Sequence, residues 1–280
     1  MALTTFVVKV ALTALIVNTR RFQNYKKMAI TIAMANHKGG VGKTTSVQNL
    51  AAGLARRGYR ALMVDFDPQS NLSDAFGCAD PEIGIYDAMI GEAATPIVTI
   101  SENLDLVPSH IGLANADIQF STKIGREKIL DGLLNKIRDN YDYIFIDCPP
   151  SLGLLTINAF STANEIYIPL DAEYFSMRGL DSLQELINEI QQHVNPSLKI
   201  GGVFFTKFDP RQTLKKDVEV IIRERFGELV YNTRISNNVA VAEAQAQGID
   251  VFEYNKRAKA SKEYDVMVEE MLSRYPVKVK

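Results

Sequence analysis

Runs of hydrophobic residues typical of β-strands alternate along the chain with segments whose hydrophobic positions recur at helical spacing. The strand-like runs lie near 29–35, 60–66, 104–107, 142–147, 165–170 and 199–206. The helical patterns lie near 45–57, 126–139, 154–162, 178–193, 214–226, 239–246 and 261–273. The strand-like runs are almost continuously apolar, which indicates strands buried on both faces. Strands that alternate with helical crossovers predict an α/β fold with a single doubly wound, mostly parallel sheet and flanking helices.

The first 27 residues differ in charge from the rest of the chain. They contain five basic and no acidic residues, whereas residues 28–280 carry 26 basic and 33 acidic residues. Their hydrophobic run at 10–17 is far shorter than the ~20 residues of a membrane span, and most of the basic residues follow it. We expect residues 1–27 to be a leader, either disordered or the product of an upstream start site. A single domain is expected over 28–280, with no membrane span.

The composition of the chain excludes a fold that depends on disulfides or zinc, and it indicates a cellular compartment. The chain is 46% hydrophobic and 23% charged over 280 residues, which is long enough to bury a large core without disulfides or a structural metal. Its two cysteines, Cys78 and Cys148, offer neither a disulfide framework nor a paired-cysteine zinc site. We therefore expect a protein of the reducing cytoplasm.

The loop after the first strand-like run has the composition of a phosphate-binding loop. It reads Lys38-Gly39-Gly40-Val41-Gly42-Lys43-Thr44-Thr45 and leads into an apolar helical pattern. Glycines let backbone N–H groups turn toward phosphate oxygens, Lys43 offers a point charge to the β- and γ-phosphates, and Thr44 offers a hydroxyl to Mg²⁺. Strand, loop and helix together predict that these eight residues bind a nucleotide.

Three aspartates stand at the ends of strand-like runs. Asp65 and Asp67 end the second run, and Asp147 ends the run at 142–147. Ligands of open α/β sheets bind at the carboxyl ends of the strands. A carboxylate at a buried strand end needs a cation or hydrogen-bond donors, so we expect Asp147 to organise Mg²⁺. Asp65 or Asp67 taken alone could instead be a solvated acid in a capped turn.

Three segments, KGGVGKTT, DFDPQSN and IFIDCPPSLG, resemble the motifs of the ParA/MinD group of P-loop ATPases, which carry a deviant Walker A sequence. The resemblance is to the short, Soj-like ParA partition ATPases in particular, and it extends from Met28 to about residue 272. It implies an enzyme that uses ATP and Mg²⁺, forms an ATP-bound sandwich homodimer and hydrolyses ATP slowly until a ParB-like partner stimulates it. The ATP-bound dimer would hold non-specific nucleoid DNA, and the cycle would segregate a plasmid or a chromosome.

The resemblance also implies roles for single residues. Lys38 would reach the phosphates bound by the partner subunit, and Asp67 would orient the attacking water, so these two and Lys43 are the expected catalytic residues. Thr44 would bind Mg²⁺, Asp147 would hold it through water, and Asp65 is a further candidate for the metal site.

The family's base-side loop aligns with residues 233–239. In this chain Ser236 and Asn237 replace a proline and an arginine that the family carries there. Asn238 therefore remains as the expected contact to the base.

Two groups of basic residues are candidate DNA contacts. The first contains Arg211, Lys215, Lys216 and Arg223. The second contains Lys256, Arg257, Lys259 and Lys262. Charge clusters are usually solvated faces, and Glu219 and Glu224 dilute the first group. That group is nevertheless the expected site, because segment 208–211 resembles a family segment whose arginine binds DNA non-specifically.

Alternatives with the same fold stay open. A MinD-like ATPase, which positions a protein assembly, ends in a basic amphipathic membrane helix, whereas residues 273–280 are short and interrupted by a proline. An iron–sulfur electron carrier needs two cysteines at a symmetric cluster, and Cys78 and Cys148 lack the surroundings expected for it. A metabolic P-loop synthetase would turn over ATP linearly without DNA or a partner.

Overall fold

The computed structural model describes residues 29–173 and 176–274, so the leader predicted over 1–27 lies outside the described residues. Within these residues eight strands form one sheet: β1 (Ile30–Met34), β2 (Ala61–Asp65), β3 (Val98–Ser101), β4 (Leu104–Val107), β5 (Tyr143–Asp147), β6 (Glu165–Asp171), β7 (Lys199–Thr206) and β8 (Val230–Arg234). Their order is β3-β4-β2-β5-β1-β6-β7-β8, and β3 pairs antiparallel with β4 while the other pairs are parallel. The predicted doubly wound, mostly parallel sheet is confirmed.

Helices cover both faces of this sheet. In the described part of the chain they are α1 (Lys43–Ala55), α2 (Asn71–Asp74), α3 (Ile85–Ile90), α4 (Ala116–Gln119), α5 (Ile129–Leu134), α6 (Leu154–Thr162), α7 (Ser176–His193), α8 (Thr213–Phe226), α9 (Val239–Ala246), α10 (Val251–Tyr254) and α11 (Lys259–Arg274). Helices α1, α10 and α11 pack on one face, and α3 and α5–α8 pack on the other. Successive residues of β5 pack on opposite faces of the sheet. Phe145 lies in the core on one face, and Ile144 and Ile146 lie in the core on the other. A central strand with two buried faces explains why the apolar runs are continuous.

The hydrophobic pattern missed β3 and β8. Strand β3 alternates between half-buried and exposed positions, and β8 reads Val-Tyr-Asn-Thr-Arg. Both are edge strands, so neither needs the long apolar run of a central strand. The single helix predicted over 126–139 is divided, because α5 covers 129–134 and 3₁₀ turns occupy 126–128 and 138–140.

Strand register brings three loops to one edge of the sheet. Asp147 at the end of β5 pairs with Asp65 at the end of β2 and with Met34 at the end of β1. The loops that follow these strands therefore start side by side at the carboxyl edge, where ligands of such sheets bind.

Candidate functional site

The loop between β1 and α1 turns at two glycines. Gly40 has φ 70° and Gly42 has φ 84°, in the left-handed region that a side chain disfavours. Helix α1 begins at Lys43, directly after the second turn. Its unpaired N–H groups and the positive end of its dipole therefore face the loop, and together they stabilise a bound anion such as a phosphate.

Hydrogen bonds to the backbone of β6 and to side chains at the end of β7 hold this loop in place. Asn36 donates from its amide to the Pro169 carbonyl at 2.7 Å. Thr206 donates from its hydroxyl to the Val41 carbonyl at 2.7 Å. The Lys207 ammonium donates to the Gly40 carbonyl, also at 2.7 Å. Sequence reasoning missed Thr206 and Lys207, although their position at the carboxyl end of a predicted strand is a usable signal.

A cleft of about 750 Å³ opens over the loop. Its walls come from the loop and α1, from the segment after β2, and from the segments around β8 and α9. Of the predicted nucleotide and catalytic residues, those that line it are Gly39, Gly40, Gly42, Lys43, Thr44, Thr45, Asp67 and Asn238. The structure thus brings a phosphate-loop lysine, a hydroxyl and a carboxylate together in one cavity large enough for a nucleotide.

Asp147 lies at the end of β5 with both carboxylate oxygens buried, and within 29–173 and 176–274 neither oxygen meets a donor with good hydrogen-bond geometry. Burial raises its pKa to about 8, the negative charge of Asp65 adds to the rise, and the Thr44 hydroxyl and the Lys43 ammonium oppose it. An orphaned buried carboxylate beside a hydroxyl fits a magnesium site, since a cation would satisfy the oxygens that the protein leaves unpaired.

No group of three or more His, Cys, Asp or Glu side chains suited to a metal occurs within 29–173 and 176–274. Mg²⁺ commonly needs only one or two protein ligands, because water and substrate phosphates complete its shell. Thr44 and Asp147 fit that kind of site.

Asp65, the further metal candidate, is engaged elsewhere. One of its oxygens accepts from the Ser73 backbone N–H at 2.8 Å and from the Ser73 hydroxyl at 2.6 Å. The other accepts from the Asp67 N–H at 3.3 Å. Burial raises the pKa of Asp65 to about 6, although the bonds from Ser73 oppose the rise. Its geometry is that of a support for the loop that carries Asp67.

Asp67 faces the cleft itself. Its carboxylate accepts from the Gln69 N–H at 3.0 Å and lines the cavity together with Lys43 and Thr44. Such a carboxylate can accept a hydrogen bond from a water molecule in the cavity.

Lys38 does not line the cleft of its own chain. Its ammonium contacts Glu173, just beyond the end of β6, and both side chains are substantially exposed. The hydrogen bond and the charge of Lys38 hold the pKa of Glu173 below its ordinary value. The two lysines of the loop thus occupy different surroundings, because Lys43 is buried at the cleft and Lys38 is accessible outside it.

The far end of the cleft is lined by amides. Asn238 accepts from the Ala240 N–H at 2.9 Å and so caps α9, which leaves its amide N–H groups as donors for a base. Gln245 donates to the Thr45 hydroxyl at 3.2 Å and thereby links α9 to the phosphate loop. Sequence reasoning missed Gln245, because a single amide in a helical pattern carries no local signal.

The structure does not bring the first basic group together on an exposed face. Lys215 is buried, and its ammonium lies 2.8 Å from the Asp171 carboxylate. Arg223 pairs with Glu219 and donates to the Tyr231 carbonyl. Arg211 is exposed but forms a two-point contact with Asp209, and Lys216 is exposed.

The second basic group is more accessible. Lys256, Arg257, Lys259 and Lys262 are all exposed around the start of α11. Lys259 makes a long ion pair of 3.5 Å with Glu263. Four accessible cations within seven residues form a more concentrated positive surface than the first group provides.

Comparisons with known proteins agree with this geometry. A family model described as an AAA domain matches residues 29–200. The chromosome-partitioning ATPase Soj of Treponema pallidum is 40% identical over 250 residues, which cover 88% of this chain and 98% of that protein. The sporulation initiation inhibitor protein Soj of Bacillus subtilis is 41% identical over 242 residues, which cover 85% and 96%. Cobyrinic acid a,c-diamide synthase of Mycobacterium smegmatis, solved with an ATP analogue and magnesium, superposes with a TM-score of 0.79 at 31% identity, covering 88% of this chain and 95% of that one.

Proposed function

Because this chain belongs to the Soj/ParA family of P-loop partition ATPases, we propose that it binds ATP with Mg²⁺ and forms a dimer around the nucleotide. In that state it holds DNA non-specifically, and a ParB-like partner discharges it by stimulating slow hydrolysis. The observation that carries the proposal is the separation of the two loop lysines, with Lys43 in the cleft and Lys38 accessible outside it.

Within one subunit the residues divide the work of phosphoryl transfer. The loop N–H groups and Lys43 bind and orient the phosphates, and Asp67 orients the attacking water. Thr44 and Asp147 would hold Mg²⁺, which would supply positive charge to neutralise the phosphates. Asp65 fixes the loop that carries Asp67, so we assign it a positioning role.

Lys38 completes the site only in the dimer. Its side chain leaves Glu173 and reaches the phosphates of the other subunit, where it stabilises charge on the transferred group. A cation supplied in trans couples hydrolysis to dimerisation. The dimer therefore persists until the γ-phosphate is released, and the enzyme acts as a timer.

DNA is held by exposed cations of the ATP-bound dimer. Arg211, Lys216 and the four basic residues around the start of α11 are accessible, whereas Lys215 is not. Dimerisation doubles the positive surface that the DNA meets, which makes binding depend on ATP.

None of the helices in the described part of the chain has the length and hydrophobicity that a membrane crossing requires.

The test is binding of a random-sequence duplex to the purified chain with ATP, with ADP and without nucleotide, each in the presence of Mg²⁺. Binding that requires ATP and tolerates any sequence is expected. ATP-dependent dimerisation without DNA binding would favour an ATPase that positions a protein assembly. Rapid linear ATP turnover by the chain alone would favour a metabolic synthetase.

A further inference from the structure

The backbone is strained directly after β7. Lys207, the first residue beyond the strand, has φ 49°, in the left-handed region that a side chain disfavours. A residue stays in this region only where surrounding contacts fix it, and such residues are concentrated at ligand-binding sites. Lys207 lines the cleft over the phosphate loop. The strain therefore indicates that the conformation of Lys207 has a function in that cleft.

A buried cation fixes the backbone of Lys207. The Lys215 ammonium donates to the Lys207 carbonyl and also lies 2.8 Å from the Asp171 carboxylate. Lys215 and Asp171 are each 8% exposed. Net stability does not account for a buried ion pair, because the desolvation of the two charges offsets most of their attraction. The pair instead orients the chain, since it joins the carbonyl of a strained residue to the end of β6.

From this fixed backbone the Lys207 side chain extends to the phosphate loop. Its ammonium donates to the Gly40 carbonyl at 2.7 Å. The preceding residue, Thr206, is buried and donates from its hydroxyl to the Val41 carbonyl at 2.7 Å. The Thr206 methyl group also lies 3.6 Å from the position that a Cβ of Gly42 would take. Two successive carbonyls of the loop are thus held by two successive side chains at the end of β7.

These contacts also fix the direction of two N–H groups, because the peptide bond is planar and trans. The C=O and the N–H of one trans peptide point in opposite directions. A fixed Gly40 carbonyl therefore fixes the Val41 N–H, and a fixed Val41 carbonyl fixes the Gly42 N–H. Backbone N–H groups of glycine-rich loops of this kind bind the phosphates of a nucleotide.

We propose that Lys207 and Thr206 are positioning residues of the nucleotide site. They orient the Val41 and Gly42 N–H groups toward the α- and β-phosphates, and Lys215 supports Lys207 through its carbonyl. The identity of the ligand as a nucleotide rests on the function proposed above, whereas the hydrogen bonds that orient the loop do not.

The two nucleotides of the reaction distinguish this role from direct phosphate binding. Oriented N–H groups at the α- and β-phosphates contribute equally to the binding of ADP and of ATP, because both nucleotides carry these phosphates. A Lys207 ammonium that bound the γ-phosphate itself would contribute to ATP alone. The ratio of the two affinities therefore reports which role Lys207 has.

The first test follows the loop of the full chain without nucleotide, by ¹⁵N relaxation of the Val41 and Gly42 amides. Lys207→Met removes the ammonium but keeps a long side chain, and Thr206→Val removes the hydroxyl but keeps the shape. The order parameter of the Val41 amide should fall from about 0.85 to below about 0.6 in Lys207→Met. That of the Gly42 amide should fall in the same way in Thr206→Val. Lys207→Arg should restore the parental value at Val41, because a guanidinium can donate to the same carbonyl.

The second test measures ADP and ATP affinity by calorimetric titration. Lys207→Met should lose about tenfold in affinity for both nucleotides, and Lys207→Arg should match the parent. Lys136→Met removes an exposed ammonium in another segment and should also match the parent. Lys215→Met should weaken binding in the same direction. Its combination with Lys207→Met should add little, because both residues act on the same loop carbonyl.

An unchanged order parameter at Val41 in Lys207→Met would overturn the proposal. So would a loss of ATP affinity with ADP affinity intact, because Lys207 would then be a direct ligand of the γ-phosphate. An equal loss in Lys136→Met would reduce the effect to general charge attraction. If Lys215→Met does not fold, the Lys207 variants decide the outcome by themselves.

Dimerisation and DNA binding of the parent keep this proposal apart from the proposed function. Their absence, with the loop ordered by Lys207 and Thr206 as expected, would refute the partition mechanism and leave the positioning roles standing. ATP-dependent DNA binding by the parent, with loop order that does not depend on Lys207, would refute only the positioning roles.

Discussion

Lys43 and Lys38 are five residues apart in one loop, yet the structure assigns them different surroundings. Lys43 is 7% exposed at the start of α1, whereas the Lys38 side chain is 37% exposed and bonded to Glu173. We expect Lys43→Ala to abolish ATP binding. Lys38→Ala should retain ATP binding and lose dimerisation and stimulated turnover, with a rate loss of about 10³, at the low end for a cation supplied in trans. Calorimetric ATP titration measures ATP binding, and light scattering measures dimerisation.

Glu173→Gln is the matched control for Lys38, because it weakens the contact of that lysine without removing its charge. This variant should dimerise with ATP at least as readily as the parent. An equal loss of ATP affinity in Lys43→Ala and Lys38→Ala would place both lysines in the same subunit's site and would rule out the sandwich arrangement.

Asp67 and Asp65 also differ in role although they are two residues apart. Asp67 lines the cleft, whereas Asp65 is buried and accepts hydrogen bonds from the backbone N–H and the hydroxyl of Ser73. Asp67→Ala should bind ATP and remain dimeric while hydrolysis stops, because the loss of a water-orienting carboxylate leaves the phosphate contacts in place. Light scattering with ATP and a phosphate-release assay test this. Hydrolysis at the parental rate would shift the catalytic role to Asp65.

At the scale of elements, the edge strand β8 depends on carboxylates from α11. Glu270 accepts from the Asn232 and Thr233 N–H groups at 2.7 and 2.9 Å. Glu263 accepts from the Ser236 N–H at 2.8 Å, just beyond the strand. These side chains occupy backbone donors that an unprotected edge would offer to another strand, so α11 both completes the core and closes the sheet.

We expect Glu270→Gln to lower the free energy of unfolding by about 1–2 kcal/mol at pH 7, because hydrogen bonds to a charged acceptor are replaced by weaker ones. Burial alone would raise the pKa of Glu270, but the bonds from Asn232 and Thr233 and the charge of Arg274 hold it below its ordinary value. Since the folded pKa is lowered, the stabilisation is complete above about pH 4.5 and is lost as the pH falls through the folded value.

Urea unfolding of the parent and of Glu270→Gln at several pH values measures this difference. It should shrink below pH 4.5. Glu269→Gln is the control, because Glu269 is 66% exposed and, among the described residues, its ion pair is a long one of 3.6 Å with Arg57. A difference between parent and Glu270→Gln that stayed constant across this pH range would show that the charge of Glu270 does not stabilise β8.

At the scale of the whole molecule, the described domain is acidic overall but carries its accessible cations in local groups. Charge far from a bound duplex is screened within about 8–10 Å at physiological salt, so local groups decide where DNA binds. The basic residues around the start of α11 form the largest accessible group among the predicted DNA contacts. A protein of net negative charge can therefore hold DNA through one face.

We expect DNA affinity of the ATP-bound dimer to fall steeply with salt and to be independent of sequence. Substitution of Lys256, Arg257 and Lys262 by glutamine should flatten the plot of log affinity against log salt by about 0.9 for each contact in each subunit. Arg211→Gln should have a smaller effect, because Asp209 already neutralises part of its charge. Lys136→Gln, at an exposed position in another segment, is the control. Unchanged slopes in both variants would move the DNA site to other cations.

The sequence by itself determined the architecture and the phosphate end of the site. Both depend on residues that are close together in the chain. Continuous apolar runs specify central strands buried on two faces, and a glycine-rich loop between such a strand and a helix specifies an anion site. The order of the motifs along the chain also places Asp65 and Asp147 at one sheet edge, since parallel strands align their carboxyl ends.

Only the tertiary structure decided which charged groups are available. Lys215 and Lys216 are adjacent and equally basic in sequence, yet α8 turns the first toward Asp171, 44 residues away in the chain, and the second toward solvent. In the same way the Ser73 hydroxyl donates to the Asp65 carboxylate, and the Lys207 ammonium donates to the carbonyl of Gly40, 167 positions away in the chain. The sequence specifies the charge and the hydrogen-bonding groups of each side chain. Whether those groups are free to bind a ligand depends on distant elements that bury them or form hydrogen bonds with them, and only the packing of the fold decides which elements do so.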